Sequence, residues 1–198
     1  MKIKFLGTGA SEGIPDLFCR CAVCEKARLH KGRENRTRAG LMVDDDLLID
    51  FSPDFFSNSI KFGIDGNKIE TLLITHSHSD HFYVDDIVNS MLSSKNRKKI
   101  DIYSNEIAEW MQKNGKAADI VAIDCTFGTI EEKYFRHMNL KQAAEECEKL
   151  KKRGIIKDDA KIFATHFCHW GGTHEELCKA AEGTGITIVY DGLAVVVK

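Results

Sequence analysis

Residues 71–81, Thr-Leu-Leu-Ile-Thr-His-Ser-His-Ser-Asp-His, constrain this chain more than any other stretch. Thr71-Leu72-Leu73-Ile74 is a continuous apolar run, which reads as a buried strand. It delivers the chain directly into His76, His78, Asp80 and His81, four ligand-type side chains within six positions. Imidazole nitrogen and carboxylate oxygen are donors for Zn²⁺, Mn²⁺ and Fe, so the cluster points to a transition metal. Side chains two apart after a strand can point the same way, so His76 and His78 can converge on one ion. Asp80 and His81, in the turn that follows, can reach a second. The competing reading is a surface His-rich turn, and the buried strand immediately before the cluster argues against it.

The rest of the chain alternates short apolar runs with helical stretches. Ile3–Leu6 is an expected strand ending at Gly7-Thr8-Gly9, and residues 10–38 read as a long polar loop. Ala39–Val43 and Leu47–Ile49 are expected strands joined by the turn Asp44-Asp45-Asp46. Pro53–Phe62 is an expected helix, with Ser52 as N-cap and Pro53 at its first position. Further helices are expected at Val84–Leu92, Glu106–Lys113, Leu140–Arg153 capped by Asn139, and Thr173–Ala181 capped by Thr173. Further strands are expected at Ile100–Tyr103, Ile120–Ile123, Ile162–Ala164, Ile186–Tyr190 and Leu193–Val197. Strands dominate the start and alternate with helices later. That predicts a layered α/β fold of two sheets, each covered by helices, with a doubly wound single sheet as the alternative.

The 198 residues suit one domain, residues 1–198, with a full core. The net charge of −2 gives no bulk electrostatic drive toward nucleic acid or membrane, and neither is an expected partner. Met1–Gly7 lacks the apolar core of a signal peptide, and no apolar run approaches the roughly 20 residues of a membrane span. A cytoplasmic setting follows as the expectation. In a reducing compartment the seven cysteines read as ligands or buried thiols rather than disulfides. Cys19, Cys21 and Cys24, on a cysteine-rich loop over residues 18–26, are one ligand short of a tetrahedral zinc site. Two strand ends add candidates. Asp124 reads as a metal ligand or a turn residue, and His166 as a ligand or a satisfied buried histidine.

The motif His76-x-His78-x-Asp80-His81, with an aspartate after a later strand and a histidine after a still later one, resembles the metallo-β-lactamase superfamily. Gly7-Thr8-Gly9-Ala10-Ser11-Glu12-Gly13-Ile14-Pro15 and Cys19-Arg20-Cys21-Ala22-Val23-Cys24 are similar to the branch containing the cyclic phosphodiesterase of bacterial phosphonate breakdown. The resemblance implies a four-layered αββα sandwich, its second half truncated here, with metals at the edge of the two packed sheets. It implies a first zinc, manganese or iron ion on His76, His78 and a third histidine. It implies a second ion on Asp80, His81 and His166, with Asp124 bridging the two and a hydroxide between them as nucleophile. Asp50 would accept a hydrogen bond from a metal-ligating imidazole, and His137 would be the general acid for the leaving oxygen. His169, three residues after His166, would complete a structural zinc with the three cysteines.

The third histidine is missing, because no histidine lies between His81 and Asp124. Asp85, Asp86 or a partner subunit could fill the position, one ion could be labile, or catalysis could be lost. A shortened sheet also leaves edges that invite pairing with another chain, so a homodimer is expected. The implied function is a metal-dependent hydrolase, a phosphodiesterase for a cyclic or small phosphodiester, with Asp80 and His137 in the chemistry. The alternatives are a metal- or ligand-binding protein without turnover, and a hydrolase of thioesters, lactones or β-lactams, since fold does not fix substrate.

Overall fold

The computed structural model describes residues 1–93, 99–104, 114–131 and 137–197, with only the backbone of Met91, Tyr103 and Ser104. The described elements run β1 Lys2–Gly7, α1 Ala22–His30, β2 Gly40–Val43, β3 Leu47–Ile49, α2 Phe55–Phe62, β4 Thr71–Ile74, α3 Val84–Ser93 and β5 Asp101–Ser104. They continue with β6 Ala118–Asp124, α4 Leu140–Lys152, β7 Ile156–Thr165, α5 His174–Ala181, β8 Ile186–Ile188 and β9 Ala194–Val196. The expected helix Glu106–Lys113 lies outside the described residues. No described helix is long and apolar enough to cross a membrane.

The strands form two sheets, one ordered β5-β4-β3-β2-β1-β9 and the other β6-β7-β8. In the first, β1 pairs antiparallel with β2 and β9, whereas β3, β4 and β5 run parallel; the second is parallel throughout. Alternation along each strand builds four layers. Phe163 points between the sheets and meets Phe5 with ring centroids 5.5 Å apart, beside Ile3 and Val189. Its neighbours Ile162 and Ala164 point the other way, onto Leu140, Ala143 and Cys147 of α4 and Leu177 of α5. On the far side of the first sheet, Leu6, Met42, Leu48 and Leu72 pack under Ile87 of α3 and Phe55 and Phe62 of α2. This confirms the two-sheet expectation over the single doubly wound sheet.

Three local expectations change. Residues 10–38 are not all loop: Ala22–His30 is helical, and its inward face is only Cys24 and Ala27, too small to give an apolar signal. Helix α2 begins at Phe55 with Asp54 at the N-cap position, because Ser52 and Pro53 form a turn closed by the Phe55 amide on the Ser52 carbonyl at 3.0 Å. Strand β7 starts six residues before Ile162, since Lys157-Asp158-Asp159 faces water and carries no apolar pattern.

Gly7 closes β1 where the two sheets' loops meet. A Cβ there would lie 1.9 Å from the Arg38 carbonyl oxygen, a backbone atom that cannot rotate away. Gly7→Ala is therefore expected to cost about 2–3 kcal/mol, seen as a lower denaturation midpoint in urea; an unchanged midpoint would refute the clash.

Arg36, 2% exposed, ties this loop to the C-terminal half. Its guanidinium donates to Thr8 Oγ1 at 2.8 Å and to the Val189 carbonyl at 2.6 Å, and lies 3.0 Å from His174 Nδ1. Burial and the adjacent Arg36 charge push His174 down to about 4. The unfolded imidazole titrates near 6.5, so between those values the unfolded chain binds more protons than the folded one. Stability is thus complete above about pH 6.5 and falls as the pH drops toward 4. Partial exposure limits the contribution to about 1–2 kcal/mol. His174→Gln should remove that share of the acid loss, measured as the difference in urea stability between pH 7 and pH 4.5.

Candidate metal centre

The histidine turn is held from behind by Asp50, which follows β3 beside the parallel strand β4. Its Oδ1 accepts the Thr75 amide at 2.8 Å and the Thr75 hydroxyl at 2.9 Å. Its Oδ2 sits 2.7 Å from His81 Nδ1. The His81 and Phe82 amides donate back to the His78 carbonyl at 2.9 and 2.8 Å, closing the turn. Asp50 has a φ of +61°, a left-handed conformation that lets the chain leave β3 while its carboxylate reaches the turn.

His166 arrives from the other sheet. It follows β7 with a φ of +65°, and its neighbour Phe167 is locked to the first loop by hydrogen bonds to the Thr8 carbonyl and from the Ala10 amide. Asp80, His81 and His166 meet where the two sheets approach, 8%, 5% and 8% exposed. His81 Nε2 lies 3.0 Å from His166 Nε2 and 3.3 Å from Asp80 Oδ2, and His166 Nε2 lies 3.5 Å from the same oxygen. Donors each about 2.1 Å from a tetrahedral zinc ion stand about 3.4 Å apart, so these three fit one face of such a site.

The electrostatics agree. Burial raises the Asp80 carboxyl, but the hydrogen bonds of His166 and His81 outweigh it and hold Asp80 far below the usual carboxylate range. Burial lowers His166, yet Asp124 and Asp80 lift it to about 9. His81 is raised in the same way, mainly by Asp50 against its own burial. The pocket carries buried negative charge that favours a cation.

His76 and His78 stand nearer solvent, their rings 4.7 Å apart, with His76 4.0 Å from His81. Among the described residues no third donor forms a tight group around this pair, and Asp85 and Asp86 of α3 do not join it. Asp124, at the end of β6, lies on the other side of His166: its Oδ1 is 3.2 Å from His166 Nδ1 and 3.1 Å from His137 Nδ1. Its Oδ2 accepts the Met138 amide at 2.7 Å, which brings the entry to α4, and His137 with it, against the site. Thr126 lies in no motif that would single it out. Its hydroxyl donates to Asp124 at 2.6 Å and sits 3.0 Å from His137 Nδ1 and 2.8 Å from His166 Nδ1.

The cysteine loop converges as a second group. Cys19, Cys21, Cys24 and His169 have donor atoms within 4.8 Å of one another. The Cys19 and Cys21 sulfurs lie 3.3 and 3.4 Å from His169 Nδ1, near the roughly 3.5 Å between sulfur and nitrogen donors of a tetrahedral zinc. Burial raises the Cys21 thiol, but hydrogen bonding with His169 and the Cys24 backbone prevails and brings it down to about 6.

Two packed sheets, outer helices and this donor cluster at the sheet edge define a protein of the metallo-β-lactamase fold. Within that fold the chain is similar to a diphosphatase of the PhnP family, at 21% identity and a TM-score of 0.72, covering 100% of this chain and 98% of that one. It is 33% identical over 93 residues to coenzyme PQQ synthesis protein B of Methylobacterium radiotolerans, 41% of this chain and 31% of that protein. It is 39% identical over 85 residues to an octanoyltransferase of Porphyromonas gingivalis, 41% of this chain and 16% of that protein. These matches span about a third and a sixth of the two curated relatives. No family model matches the chain.

Proposed function

We propose that the chain is a metal-dependent hydrolase of the phosphonate-pathway phosphodiesterase type, acting on a cyclic or small phosphodiester. The observation that carries this is the buried Asp80–His81–His166 triangle, with His137 stacked 5.4 Å from His166 at its rim. A divalent cation, zinc in this reading, supplies Lewis acidity toward a phosphoryl oxygen and acidifies water when bound. The chain's own groups do the rest. Asp50 and Asp124 fix the two buried imidazoles, and Asp80, His81 and His166 would hold the cation. His137 has its Nδ1 anchored on Asp124 and is 35% exposed, which makes Nε2 the nitrogen that protonates a leaving oxygen. The similarity to a PhnP-family diphosphatase favours phosphorus–oxygen bonds over thioester, lactone or β-lactam substrates. The expected homodimer would bury the exposed stripe Val84, Val88 and Leu92 along α3.

The test is turnover of bis-p-nitrophenyl phosphate and of a 2′,3′-cyclic nucleotide by zinc- or manganese-loaded protein. Absence of turnover with metal tightly bound would favour the binding protein that the missing third histidine suggests. His137→Ala separates the acid role from a structural one. A ribose leaving oxygen needs a proton and p-nitrophenolate does not, so kcat should fall about 10²-fold on the cyclic nucleotide and much less on the nitrophenyl ester. Equal losses on both would refute the acid assignment.

A further inference from the structure

We propose that the histidine centre of this chain holds one metal ion rather than two, on Asp80, His81 and His166, and that Asp124 is a positioning residue for His166 rather than a ligand shared between ions. This rests on the metal-dependent reading above and sets its stoichiometry.

The nitrogen that each carboxylate faces separates a ligand from a positioning residue. His81 directs Nε2 into the donor triangle, and its Nδ1 lies 2.7 Å from Asp50 Oδ2. His166 repeats the arrangement: Nε2 enters the triangle, and Nδ1 lies 3.2 Å from Asp124 Oδ1. Both imidazoles therefore have one nitrogen among the donors and the other against a carboxylate. A carboxylate in that place fixes the tautomer and ring orientation of a ligating histidine and raises its basicity. A planar ring cannot aim both nitrogens at one ion, so an Asp124 seated on Nδ1 stands away from the triangle. Its oxygens are also engaged, Oδ1 by the Thr126 hydroxyl at 2.6 Å and Oδ2 by the Met138 amide at 2.7 Å.

Two other places for a second ion are disfavoured. His76 and His78 lack a third donor among the described residues. Asp124, His137 and His166 do gather on the Nδ1 side, but the Thr126 hydroxyl lies 2.6, 3.0 and 2.8 Å from their donor atoms and already serves all three.

The experiment is a zinc count by plasma mass spectrometry on the full chain after loading and desalting. The expected result is two ions per wild-type chain, one at the cysteines and one at the histidine centre. His81→Ala and Cys21→Ser should each retain one, and the double variant His76→Ala/His78→Ala should retain two. Asp124→Asn should keep both ions, with affinity at the histidine centre weakened about 10- to 100-fold in competition with a chromogenic chelator. Three ions in the wild type, or loss of one in the double variant, overturns the single-ion proposal and leaves metal dependence intact. A single wild-type ion that Cys21→Ser removes and His81→Ala does not overturns both. The wild-type and double-variant counts decide the matter even if a single variant fails to fold.

Discussion

Asp80→Ala and His81→Ala are each expected to lower kcat/KM for bis-p-nitrophenyl phosphate by about 10³-fold or more, a loss of about 4 kcal/mol of transition-state stabilisation. The size follows from burial. Asp80 and His81 are almost fully enclosed and make two corners of the donor triangle, so neither can be replaced by a solvent-exposed neighbour. Removing Asp80 takes away the carboxylate that both His81 and His166 face, at 3.3 and 3.5 Å. Removing His81 leaves Asp50 and Asp80 as buried acids without their shared imidazole partner. Circular dichroism should show the fold retained, because the triangle lies at the sheet edge and outside the three apolar clusters that build the layers. Unchanged turnover in either variant would mean that the chemistry lies elsewhere in the molecule.

The sequence singled out side chains that the fold brings together better than it showed how they face one another. The apolar run before His76, and those before Asp124 and His166, placed all three segments at strand ends because each is a continuous apolar run too short for a helix. Asp50, His137 and His169 came from a resemblance, and the structure puts each against a candidate ligand. Spacing along a chain is blind to ring orientation, however. Whether Asp124 meets Nδ1 or Nε2 of His166 is decided by tertiary contacts, the Met138 amide and the Thr126 hydroxyl, that no local pattern encodes. Helix α1 was hidden for a related reason. Its buried face is a cysteine and an alanine, and its three nearby cysteines read more naturally as ligands in a loop.

That loop sets up the largest expected change in stability. Cys24→Ser should remove one zinc ion and lower the melting temperature by about 10 °C, taking 3–5 kcal/mol as the loss and about 2–4 °C per kcal/mol for a chain of this size. The substitution is nearly isosteric, so packing alone predicts much less. Residues 16–21 have little apolar burial to hold them, since Leu17 and Phe18 are 79% and 95% exposed. Their order is then owed mainly to the four donors, to Arg28 on the Cys19 and Asp16 carbonyls at 2.6 and 2.7 Å, and to α1 behind them. Burial and the neighbouring Cys21 and Cys19 push the Cys24 thiol up to about 12, so a metal binding there must displace its proton, and acid should weaken binding. Activity should fall together with stability. His169 lies three residues from His166, and the Cys168 amide between them donates to the Thr126 carbonyl at 2.9 Å, so a loosened loop disturbs Thr126, whose hydroxyl meets the imidazoles of His137 and His166. Chelator added to the wild type should reproduce the shift in melting temperature, and Cys24→Ser should respond to it less. A Cys24→Ser protein that keeps its full metal content and melts within about 2 °C of the wild type, less than the shift of one kcal/mol, would show that Cys24 holds no metal.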